Sequence, residues 1–558
     1  MTSPLSQTIQ LQQLASNPKN SAWVFASAGS GKTKILTDRV LRLLLAGIQP
    51  NKILCLTFTK VAAAEMQERI NSEMAKWILC DDFELEKKLS ELIGKAASQN
   101  DLKKARTLFI KILDEEAKMK VQTIHAFCQT LIKIFPFESK VAPNFEVLEE
   151  TDEQLLLKTA QKEVLKKAIS DESLKKLITE INTKLHEESL SELIENLLGK
   201  KEKLEILKEE FFGIEGVISE IFKIFSLSKN TTAEEIFQDF LEEIDVAALT
   251  KLITALEESQ LATNKKLSEA INFFLKNPKT ENFCNYQLAF FTKEKTRRKL
   301  TKTITENPLL AAIAQDQFQL IEKFSDKFNS LTIAQDSALL LKLSDLILEN
   351  YSNLKKQNAL LDYDDLIAKT NRLLANPDFS NWVKMKMDSS FDHILIDESQ
   401  DTNHQQWNII KALSEDFFSG ISASNFERSI FIVGDEKQSI YSFQGAEPNI
   451  SSEIFSYFEN KLEKKLKKIE LNNSFRSNKN ILEAVDAVFN DEQRKNAISK
   501  LAPFKEHKAI RDGIGLVEIW PQIKIRKDEE DENSEDEKIK NYDWEIDFLA
   551  TKKPTNQE

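Results

Sequence analysis

Apolar residues gather into short unbroken runs near both ends of this chain, while the middle carries few of the residues that interrupt a helix. Ala22, Trp23, Val24 and Phe25 form the first run and predict a short buried strand. Ile35, Leu36, Val40, Leu43 and Leu44 then recur at helical spacing up to Gly47, where a helix would stop. Ile53 to Leu56, Ile394 to Ile396 and Ile430 to Val433 predict three more buried strands, and 513–521 ("GIGLVEIWP") predicts another. Between them the breakers disappear. No Gly occurs between Gly216 and Gly420, and no Pro between Pro143 and Pro278, so the middle is predicted to be a large, mostly helical region.

The turn between the first strand and the first helix reads "ASAGSGKT" (26–33). Strand, Gly-rich turn and helix in that order place backbone N–H groups of Ala28, Gly29, Ser30 and Gly31 toward phosphate oxygens, because both the turn and the helix N-terminus favour an anion. Lys32 is then placed to reach the β- and γ-phosphates and Thr33 to hold Mg²⁺. Ala26 and Ser27 complete the stretch, with Ala26 standing where the general pattern has its first Gly.

A phosphate cradle needs a carboxylate for the metal and a group to activate water. "FDHILIDESQDTN" offers Asp397 for Mg²⁺ and Glu398 for the water at the end of a predicted strand. Alone, a strand ending in Asp-Glu is a weak signal. "SIFIVGDEKQSIYSFQGAEP" adds Gln438, within reach of a γ-phosphate or water, and two ring faces, Tyr441 and Phe443. "LNNSFRSNKNI" adds Phe475, able to stack on adenine, and Arg476, able to neutralise charge on a transferred phosphoryl group.

Bulk properties change this picture little. The 558 residues suffice for several domains, and the net charge of −13 is concentrated in an acidic stretch, "DEEDENSEDE" (528–537), expected to be solvated and disordered. The remaining body is closer to neutral. Its densest basic stretch, "KEKTRRKLTK" (293–302), is a solvated helix face or loop on the plain reading and a nucleic-acid contact on the functional one. Cys55, Cys80, Cys128 and Cys284 are widely spaced, which argues against a zinc site or disulfide framework and fits a reducing cytosol. No apolar run approaches the ~18 residues of a membrane span, so a cytoplasmic protein without a membrane partner is expected.

Taken in order, these segments resemble superfamily 1 DNA helicases of the UvrD/Rep type, and within that group the AddA components of bacterial double-strand-break repair helicase–nucleases, in their alphaproteobacterial form. "WVFASAGSGKTKILTDRVLRLLLAG" resembles motif I, "ILCLTFTKVAAAEMQERI" motif Ia, and "VQTIHAFCQTLIKIFPFE" the DNA-contacting motif that follows. "LDYDDLI" (361–367) resembles the segment upstream of motif II, "IDESQD" motif II, "GDEKQSIYSFQGA" motif III and "NNSFRS" motif IV.

The resemblance implies roles. Gln12 would read the adenine edge. Lys32, Glu398, Gln438 and Arg476 would carry catalysis, and Thr33 and Asp397 the metal. Lys34 stands where many relatives have an adenine-stacking arginine, leaving that task mainly to Phe475, and Gln444 replaces an arginine of many relatives' motif III. Single-stranded DNA would meet Phe58 and Thr59, which follow a predicted strand, then Thr123 and His125, and Tyr441 and Phe443. Lys293, Arg297 and Arg298 are candidates for contact by an inserted domain.

Asp397 arrives more than half the chain after Lys32, too far for a loop in a parallel α/β domain. The expected fold is therefore α/β: a RecA-like P-loop domain, a parallel sheet flanked by helices, with a large inserted all-helical domain. Residues 1–150 would form the first part of that RecA-like domain, with 81–119 as a helical extension. Residues 151–350 would be the insertion, 351–495 the rest of the core, 496–525 the start of a truncated connection and 526–558 the tail. Motifs V and VI and a nuclease-like constellation are not found, so a second RecA-like domain is expected to be missing. The expected function is an ATP-dependent 3′–5′ DNA helicase polypeptide using ATP and Mg²⁺. A partner chain with motifs V and VI, or an AddB-like partner, would complete it. The alternative is a module that binds ATP and single-stranded DNA without translocating. A P-loop kinase or ABC-type ATPase fits poorly, since a kinase would lack "GDxxQSIYxFxGA" and an ABC protein needs an "LSGGQ"-like signature.

Overall fold

The computed structural model describes residues 4–113, 119–184, 187–259, 261–388, 391–418, 428–439, 450–462, 465–490, 494, 506–511 and 513–520. Eight strands organise the part that bears the motifs: β1 (Ala22–Ala26), β2 (Ile53–Thr57), β3 (Lys120–Thr123), β4 (Glu146–Val147), β5 (Leu360–Leu361), β6 (His393–Ile396), β7 (Ser429–Gly434) and β8 (Lys467–Leu471). Six of them make one parallel sheet in the order β3-β2-β6-β7-β1-β8.

The central strands read as continuous apolar runs because both faces of the sheet are covered. Alternate residues feed opposite cores. Ala22, Val24, Cys55, Leu395, Phe431 and Val433 pack with the helices Lys32–Leu45, Lys60–Leu79, Asp82–Ile93 and Gln99–Leu113. Trp23, Phe25, Leu54, Ile394, Ile396 and Ile430 pack with Ile124–Ile134, Tyr363–Ala375, His404–Ser414 and Ser451–Lys461. A one-residue slip in any strand would exchange the two sets, so register is strongly specified.

From Glu150 to Gln357 the chain is built of helices, apart from a tight hairpin-like turn in which Phe291 bridges Arg297 in antiparallel fashion. The spine is one 50-residue helix, Pro308–Gln357, roughly 75 Å long at the usual rise. Its first half, through Phe324, packs into an aromatic-rich cluster with Phe237, Phe240 and Phe274. Its second half, through Leu343, Ile347 and Tyr351, packs against Ala160, Val164, Ile181 and Ile194.

Where these helices meet the sheet domain the chain crosses twice, and β4 pairs in parallel with β5. A closed knot of charge sits there. Asp362, buried at the N-cap of Tyr363–Ala375, accepts from Lys201 Nζ at 3.0 Å, Lys355 Nζ at 2.8 Å and the Tyr351 hydroxyl at 2.8 Å. Lys201 also pairs with Glu153 and, at 3.3 Å, with Asp364, and Lys355 lies 2.5 Å from Asp365. Burial alone drives the Asp362 carboxyl upward, but Lys201 and Lys355 outweigh it and hold it well below the usual carboxylate range.

One expected strand is not formed. Residues 513–520 pair with no strand among the described residues. Asn478 Nδ2 donates to the Ile514 carbonyl at 3.2 Å, so one backbone acceptor is satisfied by a side chain and not by a ladder. A β-prone run needs a neighbouring strand to become one, and its own sequence does not supply it. Most of 496–525 and all of 526–558 lie outside the described residues.

Candidate nucleotide site and single-strand cleft

The candidate site lies along the carboxyl ends of the parallel strands, where such sheets gather ligands. The phosphate loop leaves β1 at Ser27, whose N–H donates to the Leu471 carbonyl on β8 at 3.0 Å, and Ser30 N–H closes back onto Ser27 at 3.0 Å. Gly29 adopts φ +75°, and a Cβ there would lie 2.6 Å from Arg476 Cβ and 2.7 Å from Ser474 Oγ. Only glycine lets the "NSFRS" segment press on the loop, and Phe475 N–H donates to the Gly29 carbonyl at 2.8 Å. Phe475 and Arg476 are themselves exposed beside the loop. Ala26 is an ordinary buried end residue of β1, so a glycine is not needed there.

Lys32 begins its helix and donates to Glu398 Oε2 at 2.9 Å and to Gln438 Oε1 at 3.4 Å, joining residues from three strand ends. Thr33 follows it in the first turn. Asp397 is anchored by its N–H to the Leu56 carbonyl and takes the Glu398 N–H at 2.9 Å. Burial first, and the Glu398 charge second, push its carboxyl up to about 6. Glu398 itself sits at φ +50°, a left-handed conformation that is strained for a non-glycine residue.

Gln12 donates to the Ser30 carbonyl at 3.2 Å, whereas its neighbour Gln13 turns away to the Glu91 carbonyl. Lys34 is exposed and paired with Asp38 at 2.7 Å.

Two residues that the motif reading passed over also belong here. Gln400 is buried, donates to Glu398 Oε2 at 2.7 Å and accepts the Asp435 N–H at 2.9 Å, tying the ends of β6 and β7 together. A Cβ on Gly434 would lie 2.2 Å from Ser399 Oγ, which is why the two segments can touch. Lys437 reaches Ser27 Oγ at 3.1 Å. Both lie inside quoted motifs, so adjacency was the available signal. Asp401, pushed up to about 6 by burial and by Glu398, completes the acidic side.

Beside the nucleotide site, a cleft of about 600 Å³ separates sheet domain from insertion and is lined by Phe58, His125, Tyr363, Lys201 and Asp364 among others. The His125 ring meets Tyr363 edge-on with centroids 5.2 Å apart, and burial lowers its pKa. Thr59 and Thr123 each also cap a helix. Each hydroxyl accepts a bond at 3.1 Å, from Ala62 and Ala126 N–H respectively, which leaves its own O–H to donate.

The basic stretch is likewise divided. Lys293 is exposed at the tip of its turn. Arg297 is engaged by Glu322 through two hydrogen bonds of 2.7 and 2.6 Å, and Arg298 Nε donates to the Phe291 carbonyl. A phosphate contact at Arg297 would have to share or displace this exposed carboxylate. Tyr441, Phe443 and Gln444 lie outside the described residues.

A parallel sheet with a phosphate loop at its carboxyl edge, facing residues from β6, β7 and the segment after β8, and interrupted by a large helical insertion, is a RecA-like α/β core of the helicase kind. Residues 6–463 match the UvrD/REP helicase N-terminal domain, and the chain belongs to that family. It is similar to an ATP-dependent helicase/nuclease subunit of Lactobacillus acidophilus, 25% identical over 514 residues, covering 86% of this chain and 40% of that protein. The proteins of the same name in Bacillus pumilus and Clostridioides difficile are each 24% identical, covering 84% and 89% of this chain and 38% and 39% of theirs. The chain thus spans about two fifths of the length of these relatives. No described helix is long and apolar enough to cross a membrane.

Proposed function

We propose that this chain is the nucleotide-binding core of an ATP-dependent DNA helicase of double-strand-break repair, moving 3′ to 5′ on single-stranded DNA. The observation that carries the reading is the meeting of Lys32, Glu398 and Gln438 across three strand ends. Lys32 is poised to exchange its carboxylate for the β- and γ-phosphates. That exchange frees Glu398 to polarise the attacking water, while Gln438 senses the terminal phosphate. Thr33 and Asp397 would hold Mg²⁺, which supplies charge neutralisation on the phosphates. The fit rests on Asp397, a buried carboxyl pushed up to about 6 by burial and by Glu398, an effect that Lys32 only partly offsets. Phe475 would stack on adenine, Gln12 read its edge and Arg476 steady the developing charge. Phe58, His125 and the exposed Lys293 would meet DNA.

The exposure of Phe475 and Arg476 beside the loop supports a second reading for the chain alone. It would hold ATP and single-stranded DNA, with turnover supplied by a partner polypeptide bearing motifs V and VI or by an AddB-like partner.

Titration calorimetry with Mg-ATP tests the first step. Lys32→Ala is expected to weaken binding by at least tenfold, about 1.4 kcal/mol or more, and equal affinity would sink the phosphate-loop assignment. DNA-stimulated hydrolysis on adding the partner, abolished in Glu398→Gln, separates a motor from a binding module.

A further inference from the structure

Lys437 has no part in the chemistry above, yet the fold sets its ammonium on the phosphate loop. It lies in the single helical turn Glu436–Gln438 that follows β7, and Asp435 fixes that turn by accepting the Lys437 N–H at 3.3 Å. The same turn touches the loop at two points. Gln438 Oε1 accepts from Lys32, and Lys437 Nζ donates to Ser27 Oγ at 3.1 Å.

The lysines around the loop differ in what neutralises them. Lys32 is paired with Glu398 and Lys34 with Asp38. Lys437 forms no ion pair among the described residues, and its one contact on the loop is a neutral hydroxyl. A half-buried cation held on a neutral partner at the mouth of an anion cradle is positioned for an anion that arrives later.

Its place along the loop says which part of the anion. Gln12, the residue that the nucleotide-binding reading assigns to the base, donates to the Ser30 carbonyl and lies 3.2 Å from where a Cβ on Gly31 would be, so on that reading the base approaches from the Gln12 side. Lys437 sits at Ser27, the opposite end, beside Gln438. We propose that Lys437 is a second phosphate-binding cation that contacts the terminal phosphate of a nucleoside triphosphate and so makes the site prefer triphosphate to diphosphate. This rests on the nucleotide-binding reading of the loop.

Equilibrium binding of fluorescent ADP and of a fluorescent non-hydrolysable ATP analogue to the full chain tests it. Lys437→Met is expected to weaken the triphosphate about tenfold, the scale of one charge-assisted hydrogen bond, while diphosphate affinity stays within about twofold of wild type. Lys437→Arg is expected to keep the triphosphate preference. Equal losses for both nucleotides would overturn the terminal-phosphate contact, and no loss for either would overturn the cation role altogether. Lys32→Ala is the control for the underlying reading. If it binds both nucleotides like wild type, the loop is not a phosphate cradle, whatever Lys437 does. Should Lys437→Met fail to fold, Lys437→Gln compared with Lys437→Arg reads the same preference.

Discussion

Two clusters of charge in this molecule are made of the same residue types and are built to opposite ends. At the junction of insertion and core, Lys201 and Lys355 share the buried Asp362, and Glu153, Asp364, Asp365 and the Tyr351 hydroxyl close the set. In the candidate nucleotide site, Lys32 donates to Glu398, Asp397 is only partly offset by Lys32, and Lys437 rests on a hydroxyl. A network with every member satisfied specifies how two parts of a chain fit together, though its net stabilisation is small. A site whose charges are left short of partners holds free energy in reserve for a ligand, and perturbed carboxyls mark it.

The largest expected effect breaks the closed cluster. Asp362→Ala leaves the largely buried Lys201 and the buried Lys355 without their shared carboxylate and removes a helix cap, so a loss of ~3–5 kcal/mol in stability is expected from denaturant unfolding. A loss below ~1 kcal/mol would mean that the knot is decoration on a junction held by packing.

The second change acts on the open cluster and carries the opposite sign. Because the folded-state pKa of Asp397 is raised to about 6, the native state binds a proton more readily than the unfolded chain does. Its charge therefore costs stability above about pH 6, and that cost fades as pH falls toward the ordinary carboxylate value. Asp397→Asn is expected to stabilise the nucleotide-free protein by ~1–3 kcal/mol at pH 8, with the gain shrinking by pH 4.5. Asp362, whose folded value is depressed, contributes stability that is complete above the ordinary carboxylate value and lost as pH falls below it. A thermal melt series over pH on both variants therefore yields opposite slopes, and parallel slopes would erase the distinction.

The cleft between the two clusters gives the third test. Phe58→Ala is expected to weaken single-strand binding by ~1–3 kcal/mol, the usual worth of one stacked base, with the salt dependence unchanged. A changed slope against unchanged low-salt affinity would return Phe58 to the core. The smallest effect is expected at Arg297, which Glu322 already holds. Arg297→Ala should move DNA affinity by less than ~0.5 kcal/mol, whereas Lys293→Glu should flatten the log-salt slope by about one phosphate's worth, ~0.7.

The separation of what was legible from what was not follows sequence distance. Ala22 to Phe25, Ile53 to Leu56 and Ile430 to Val433 became strands because unbroken apolar runs suit a sheet covered on both faces. The turn between β1 and the helix that follows it was legible because strand, turn and helix are contiguous. The same logic failed at 513–520, where local propensity met no partner strand among the described residues.

Side-chain roles followed the same division. Thr59 and Thr123 stand directly before helices, so their capping role is legible locally, beside any contact to DNA. Arg297 reads as an unpaired cation in sequence because its partner Glu322 lies 25 residues on, on the spine helix.

Local sequence was enough for the strands, the loop and the order of motifs, since those depend on neighbours within a turn or a pleat. Long-range folding was needed to bring Glu398, 366 residues from Lys32, onto its ammonium, to carry Lys437 across 410 residues to Ser27, and to lock Lys201 onto Asp362. Charge carries no periodicity that marks its partner. A lysine reads the same in sequence whether folding brings it a carboxylate, a hydroxyl or water, and the difference in free energy appears only once burial has removed the solvent.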